Sequence, residues 1–203
     1  MKKIFAIAIC LLFTHHIFSA TQERRVGINA WGTHFPVLAT VVANTTGPIL
    51  EMGCGDYSTP MLHGLCAPTK RTLVSTDASK QWLEFFADMQ RDWHTLIYVP
   101  AYGPKSNEDD TMFSPEQDAW DSVGADTHWN IVFIDHRPGL RRVIDIERLR
   151  SQTDIFVIHD AQDRAYGYDR VLKTFKYVYE YRRYHITTKV VSDTIDVAKF
   201  FEL

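Results

Sequence analysis

Residues 51–60 read Glu51-Met52-Gly53-Cys54-Gly55-Asp56-Tyr57-Ser58-Thr59-Pro60. They follow Pro48–Met52, a short apolar run of the kind that forms a buried strand, and they lead into Thr59–Leu65, which reads as a short helix. Glycines at 53 and 55 permit a tight strand-to-helix turn and let a ligand approach the backbone closely. Ser58 or Thr59 is placed to cap the helix, with Pro60 in its first turn. A third glycine is missing, so the stretch is not the full dinucleotide fingerprint. The Gly-Lys-Ser/Thr of a nucleotide phosphate loop is missing as well.

The same alternation continues outward from this turn. Arg71–Ser75 reads as a second strand. Ser79–Met89 carries Trp82, Leu83, Phe85, Phe86 and Met89 at helical spacing, with Ser79 as N-cap. His94–Val99, Trp129–Ile134 and Asp154–Ile158 read as strands three to five, and Gly139–Leu149 as a helix between the last two. Residues 101–128 are polar and acidic, with a helical turn expected around Pro115–Val123. Tyr168–Tyr179 reads as helix followed by irregular chain. Tyr184–Val191 and Thr194–Phe201 are β-rich and are expected to pair as a terminal hairpin. Continuous apolar strands alternating with helices predict a three-layer α/β domain of Rossmann-like type, with a mostly parallel sheet and an antiparallel edge. In such sheets ligands bind beyond the carboxyl ends of the strands.

The chain has 203 residues and a formal net charge of −3. That balance argues against a broad nucleic-acid footprint. Twelve Phe, nine Tyr and five Trp supply enough apolar surface to exclude a disordered chain. Three Cys cannot build a disulfide scaffold of this size, and Cys54 and Cys66 read as free, buried residues. Residues 1–20 have a basic start at Lys2 and Lys3 and an apolar run from Ile4 to Phe13. They read as a signal peptide or a short membrane anchor, followed by one domain over 21–203. Export, a periplasmic place or membrane association through the N-terminus follows from that reading. A cytosolic place follows if residues 1–20 are only an amphiphilic helix.

Asp77 lies 24 residues after Gly53, just past the second strand. A carboxylate there can accept both hydroxyls of a ribose. With this acid, the Glu51-x-Gly53-x-Gly55 stretch resembles the first motif of the class I S-adenosylmethionine-dependent methyltransferases, from about Val37 to the C-terminus. The resemblance implies a seven-stranded sheet whose last strand is antiparallel. It implies S-adenosylmethionine as cofactor, bound by Glu51, Gly53, Gly55, Ser58 and Asp77, with the glycine backbone against the methionine part. An adenine contact would fall between Tyr102 and Asp121. The block from Glu51 to His63, together with Asp135 and the following Pro138-Gly139, is also similar to methyltransferases of the plant polysaccharide type, which implies a glycan or small-molecule oxygen acceptor.

Asp135-His136 closes strand four, and His159-Asp160 closes strand five. Two carboxylates and two imidazoles at one sheet edge suit proton transfer, because an imidazole titrates near neutrality and a carboxylate fixes its tautomer. Asp135, His136 and Asp160 are therefore the expected catalytic residues, with His136 or Asp160 taking the acceptor's proton. Asp135, Asp160 and Asp163 could alternatively hold a divalent metal. Metal-dependent O-methyltransferases look similar in having acids after both strands, but this chain has His159-Asp160-Ala161 where they have Asp-Asn, and no metal ligand is assigned. Two other functions stay open: a non-catalytic nucleoside-binding module on the same sheet, and a nicotinamide-dependent oxidoreductase. Trp120, Trp129, Tyr102 and Phe113 are candidates for sugar stacking or for core packing.

Overall fold

The computed structural model describes residues 30–100 and 119–202. Apolar residues on both faces of each central strand dictate a sheet covered on both sides. β1 (Ile49–Met52), β4 (Trp129–Ile134) and β5 (Thr153–Ile158) bury nearly every side chain. β2 (Leu73–Asp77), β3 (His94–Tyr98), β6 (Tyr177–Tyr181) and β7 (Thr188–Ser192) complete seven strands in the order β3-β2-β1-β4-β5-β7-β6. The first five are mutually parallel, and β7 runs antiparallel between β5 and β6.

Alternate side chains of each strand feed two separate cores. On one face Leu50, Met52, Val132, Ile134, Phe156 and Ile158 pack against α4 (Arg141–Leu149) and α5 (Tyr168–Leu172). On the other, Ile49, Ile131, Phe133, Ile155 and Val157 pack against α1 (Phe35–Ala43) and α2 (Ser58–Cys66). Trp120 and Trp129 both belong to the first core, so neither is available for sugar stacking. Cys54 and Cys66 are free and buried, as expected.

Two expectations change, and one element is new. The terminal hairpin is Tyr177–Tyr181 with Thr188–Ser192, and Val197–Phe201 is a 3-10 helix whose Phe201 ring stacks on Tyr179 at 3.9 Å. The period-two run Tyr177, Tyr179, Tyr181 packs on the second core, and this outweighs the β propensity of the last residues. Ser79 caps α3 (Lys80–Phe85) as expected, but the helix is short and passes into a 3-10 turn at Ala87–Met89. Only Phe86 of its aromatic face is fully buried, and Phe85 is 67% exposed. α1 precedes the region in which the sequence pattern identifies any element.

No described helix is long and apolar enough to cross a membrane. The signal or anchor reading of residues 1–20, Tyr102, Phe113 and most of the expected adenine-contact stretch lie outside the described residues.

Candidate active site

The ladder continues past the strands and sets the functional residues in a row. Gly53 N donates to Thr76 O at 2.8 Å, Asp135 N to Met52 O at 2.8 Å, and His159 N to Ile134 O at 3.1 Å. Asp77, Gly53, Asp135 and His159 thus occupy successive positions along the carboxyl edge of β2-β1-β4-β5.

The glycine turn is built around Glu51. This side chain is fully buried; its Oε1 accepts from Thr59 Oγ1 at 3.0 Å, and Oε2 has no hydrogen-bond partner among the described residues. Burial pushes its carboxyl up to about 7, with the neighbouring hydroxyls of Ser58, Ser75 and Thr59 acting in the opposite sense. Ser58 and Thr59 do not cap α2, whose N-cap is Tyr57 with no side-chain bond. The Thr59 hydroxyl turns inward to Glu51 instead, and Thr59 Oγ1 also accepts from Gly55 N at 3.0 Å. Ser58 is buried, with its Oγ on the Gly55 side of the turn.

The two glycines differ in purpose. Gly53 has φ +99°, and a Cβ there would lie 2.6–2.7 Å from the backbone of Asp135 and His136. It is required for the close packing of the turn on the end of β4, more than for ligand approach. A Cβ at Gly55 would meet only Ser58 Oγ, at 3.7 Å, so this is the open side of the turn. Asp77 braces the turn from β2: its Oδ2 accepts from Cys54 N at 2.8 Å and its Oδ1 from Ser79 N at 2.6 Å. Burial raises the Asp77 carboxyl above its ordinary range despite these bonds.

At the other end of the row, Arg142 in α4 organises both strand ends. Its guanidinium pairs with Asp135 Oδ1 at 3.1 Å and Asp160 Oδ2 at 3.2 Å, and donates to the carbonyl oxygens of Asp135 and His136. Asp135 Oδ2 lies 3.2 Å from His159 Nδ1, and Asp160 Oδ1 lies 3.7 Å from the same nitrogen. Burial pushes the Asp135 carboxyl up, but Arg142 and His159 outweigh it and hold it below the usual range. Burial works to lower the pKa of His159, but Asp135 outweighs burial and the imidazole ends above its ordinary value. Asp160 has φ +53°, a strained conformation for a residue with a side chain, and both acids are about a fifth exposed.

His136 does not join this group. Its imidazole is sealed on the α4 side of the sheet, stacked on Trp120 at 4.5 Å, with Nε2 2.9 Å from Asp145 Oδ2. That approach is close but poorly aligned for a hydrogen bond, since neither ring nitrogen has a well-formed one among the described residues. Burial holds its pKa below the ordinary value. A side chain walled in this way cannot reach an acceptor, so the imidazole of the site is His159. Asp163 is also engaged elsewhere: its Oδ1 accepts from Ala165 N at 2.9 Å, capping a 3-10 turn.

The segment before α1 closes the site. Thr33 Oγ1 lies 2.9 Å from His159 Nε2, and a Cβ at Gly32 would lie 2.8 Å from the Tyr57 ring beside the glycine turn. His34 sits edge-on to His159, with ring centroids 4.6 Å apart. Thr33 and His34 have no signal in the sequence, because they precede the alternating pattern and share no spacing with the other histidines. Arg142 is concealed in the sequence within a helix identified by its apolar side. A separate groove at the opposite sheet edge is lined by His128, Arg150, Asp154 and Asp193, which pair with one another and take no part in the site.

No protein-family model matches the chain, and no curated protein matches it in sequence. Solved structures do match. Cofactor-bound Rv0187 from MTB is 14% identical, with a TM-score of 0.55 covering 93% of this chain and 89% of that one. A Staphylococcus aureus protein described as a caffeoyl-CoA O-methyltransferase is 8% identical, with a TM-score of 0.54 covering 89% and 97%. The methyltransferase domain of bacterial CtHen1-C is 11% identical, with a TM-score of 0.50 covering 81% and 98%. The chain has the Rossmann-like α/β fold of the S-adenosylmethionine-dependent methyltransferases, with its seven-stranded, mostly parallel sheet.

Proposed function

We propose that this chain is an S-adenosylmethionine-dependent methyltransferase acting on an oxygen of a small molecule or glycan. The observation that carries the reading is the row of Asp77, the Gly53–Gly55 turn, Asp135 and His159 along one sheet edge, with the Oε2 of buried Glu51 left without a partner beneath the turn. An unpaired buried carboxylate oxygen beside a glycine whose outer side is open fits an amino-acid ammonium group, and Asp77 keeps acceptor capacity for ribose hydroxyls. Glu51, Gly55 and Asp77 would hold the cofactor, which when bound supplies a methyl group activated by a sulfonium. The likeness of fold to methyltransferases supports the same reading.

The chain's own contribution is positioning and proton handling. Arg142 clamps Asp135 and Asp160 in fixed orientation, and Thr33 and Asp135 fix the ring of His159 from its two nitrogens. Asp160 Oδ1 is the oxygen left to take the acceptor's proton. His136 stabilises the wall behind it. A glycan acceptor rests on the similarity of the Glu51–His63 block to polysaccharide-type methyltransferases. The test is transfer of labelled methyl from S-adenosylmethionine to a panel of sugars, uronic acids and phenols. Asp160→Asn should lose about 10²–10⁴ in rate with cofactor affinity retained. Equal transfer by Asp160→Asn and wild type would contradict the assignment.

A further inference from the structure

The geometry points to a divalent first-row transition metal site formed by His34, Asp135 and His159. One ligand atom of each lies within 4.8 Å of the others. Two imidazoles and one carboxylate make a donor set of the kind that holds Zn²⁺, Fe²⁺ or Co²⁺ with coordination positions left open. The independent observation is His34. Its side chain is buried to 2% exposure beside Asp135 and His159, yet neither ring nitrogen has a hydrogen-bond partner among the described residues. A buried imidazole with both nitrogens unpaired carries a desolvation cost that no hydrogen bond among the described residues offsets, and a metal ion would offset it.

The supporting shell has the form a metal site needs. Thr33 Oγ1 is in contact with His159 Nε2, which leaves Nδ1 facing the cluster and fixes the ring. Arg142 holds Oδ1 of Asp135 and leaves Oδ2 turned to His159. His34 comes from the segment leading into α1, Asp135 from the end of β4 and His159 from the end of β5, so the ion would tie the N-terminal segment across the sheet edge. Its role rests on the transferase reading: the open positions would take the acceptor oxygen next to Asp160 and make its proton easier to remove. Binding of the ion does not depend on that role.

The purified full chain, stripped with a chelator and dialysed, is titrated with Co²⁺ without S-adenosylmethionine. Heat and visible ligand-field absorption are followed. One Co²⁺ per chain is expected, displaced by Zn²⁺. His34→Phe removes an imidazole that makes no hydrogen bond, so the fold should hold. It and His159→Asn should each weaken Co²⁺ by more than about 100-fold, the upper end for loss of a merely supporting partner. His128→Ala and Asp163→Ala should leave binding unchanged. A thermal melt accompanies each variant, and His34→Gln replaces His34→Phe should the latter not fold. Absence of stoichiometric Co²⁺, or equal affinity in wild type and the folded His34 variant, overturns the site. A chain that binds Co²⁺ and no S-adenosylmethionine keeps the site and loses the transferase reading, and the converse separates them in the other direction.

Discussion

Glu51→Gln is the sharpest probe of the glycine turn. The Glu51 carboxyl sits at about 7 in the folded chain against an ordinary 4.5, with burial as the main cause. The folded state therefore holds a proton that the unfolded chain releases between those two values. The stabilisation is fully present below about pH 4.5, declines as pH rises, and levels off above about pH 7. At about 1.36 kcal/mol for each pH unit between the two values, the whole effect is on the order of 3 kcal/mol, of which about 2.5 falls between about pH 5 and about pH 8. Gln cannot ionise, and it keeps a similar shape and a carbonyl oxygen for Thr59. The assay is urea denaturation of both proteins across that range. Taking the difference between them cancels the other titrating groups. Wild type should lose stability relative to Glu51→Gln as pH rises. A difference that stays flat would mean that Glu51 is already ionised and paired at low pH, and the unpaired Oε2 beneath the turn would be wrong.

Three further outcomes are expected. His136→Ala opens a cavity beside Trp120 and should cost roughly 2–4 kcal/mol in denaturant unfolding, while the folded fraction keeps its methyl-donor affinity; a large loss of turnover without loss of stability would return His136 to the chemistry. Gly53→Ala should destabilise strongly, because φ +99° and the 2.6 Å approach to Asp135 leave no room, whereas Gly55→Ala should fold and weaken the donor by calorimetry. Arg142→Leu leaves Asp135 and Asp160 without their shared partner and should cost about 3–5 kcal/mol, read as a lower urea midpoint.

Much of this architecture is legible in the residues. Pro48–Met52, Trp129–Ile134 and Asp154–Ile158 are apolar on both faces, which only a covered parallel sheet satisfies, and the turn at Gly53 and the acid at 77 follow directly. The hairpin is harder to read, since Tyr184–Val191 and Thr194–Phe201 are both β-rich, and the choice depends on what Tyr177, Tyr179 and Tyr181 bury. The site is half legible. Strand ends at 135–136 and 159–160 identify the edge, but adjacent residues on an extended chain face opposite sides. Which of His136 and His159 faces the site follows from three-dimensional packing against Trp120 and Asp145, and spacing does not encode it. Thr33 and His34 reach the site only because α1 packs across the second core.

The most direct measurement is calorimetric titration of the full chain with S-adenosylmethionine, its demethylated product and NAD, on wild type and Asp77→Ala. Both sulfur compounds should bind one per chain and NAD should not. Asp77→Ala removes charged hydrogen bonds worth about 3 kcal/mol in total, so affinity should fall about 10²-fold. No heat with S-adenosylmethionine, or undiminished affinity in a folded Asp77→Ala, would contradict a methyl-donor site at this turn.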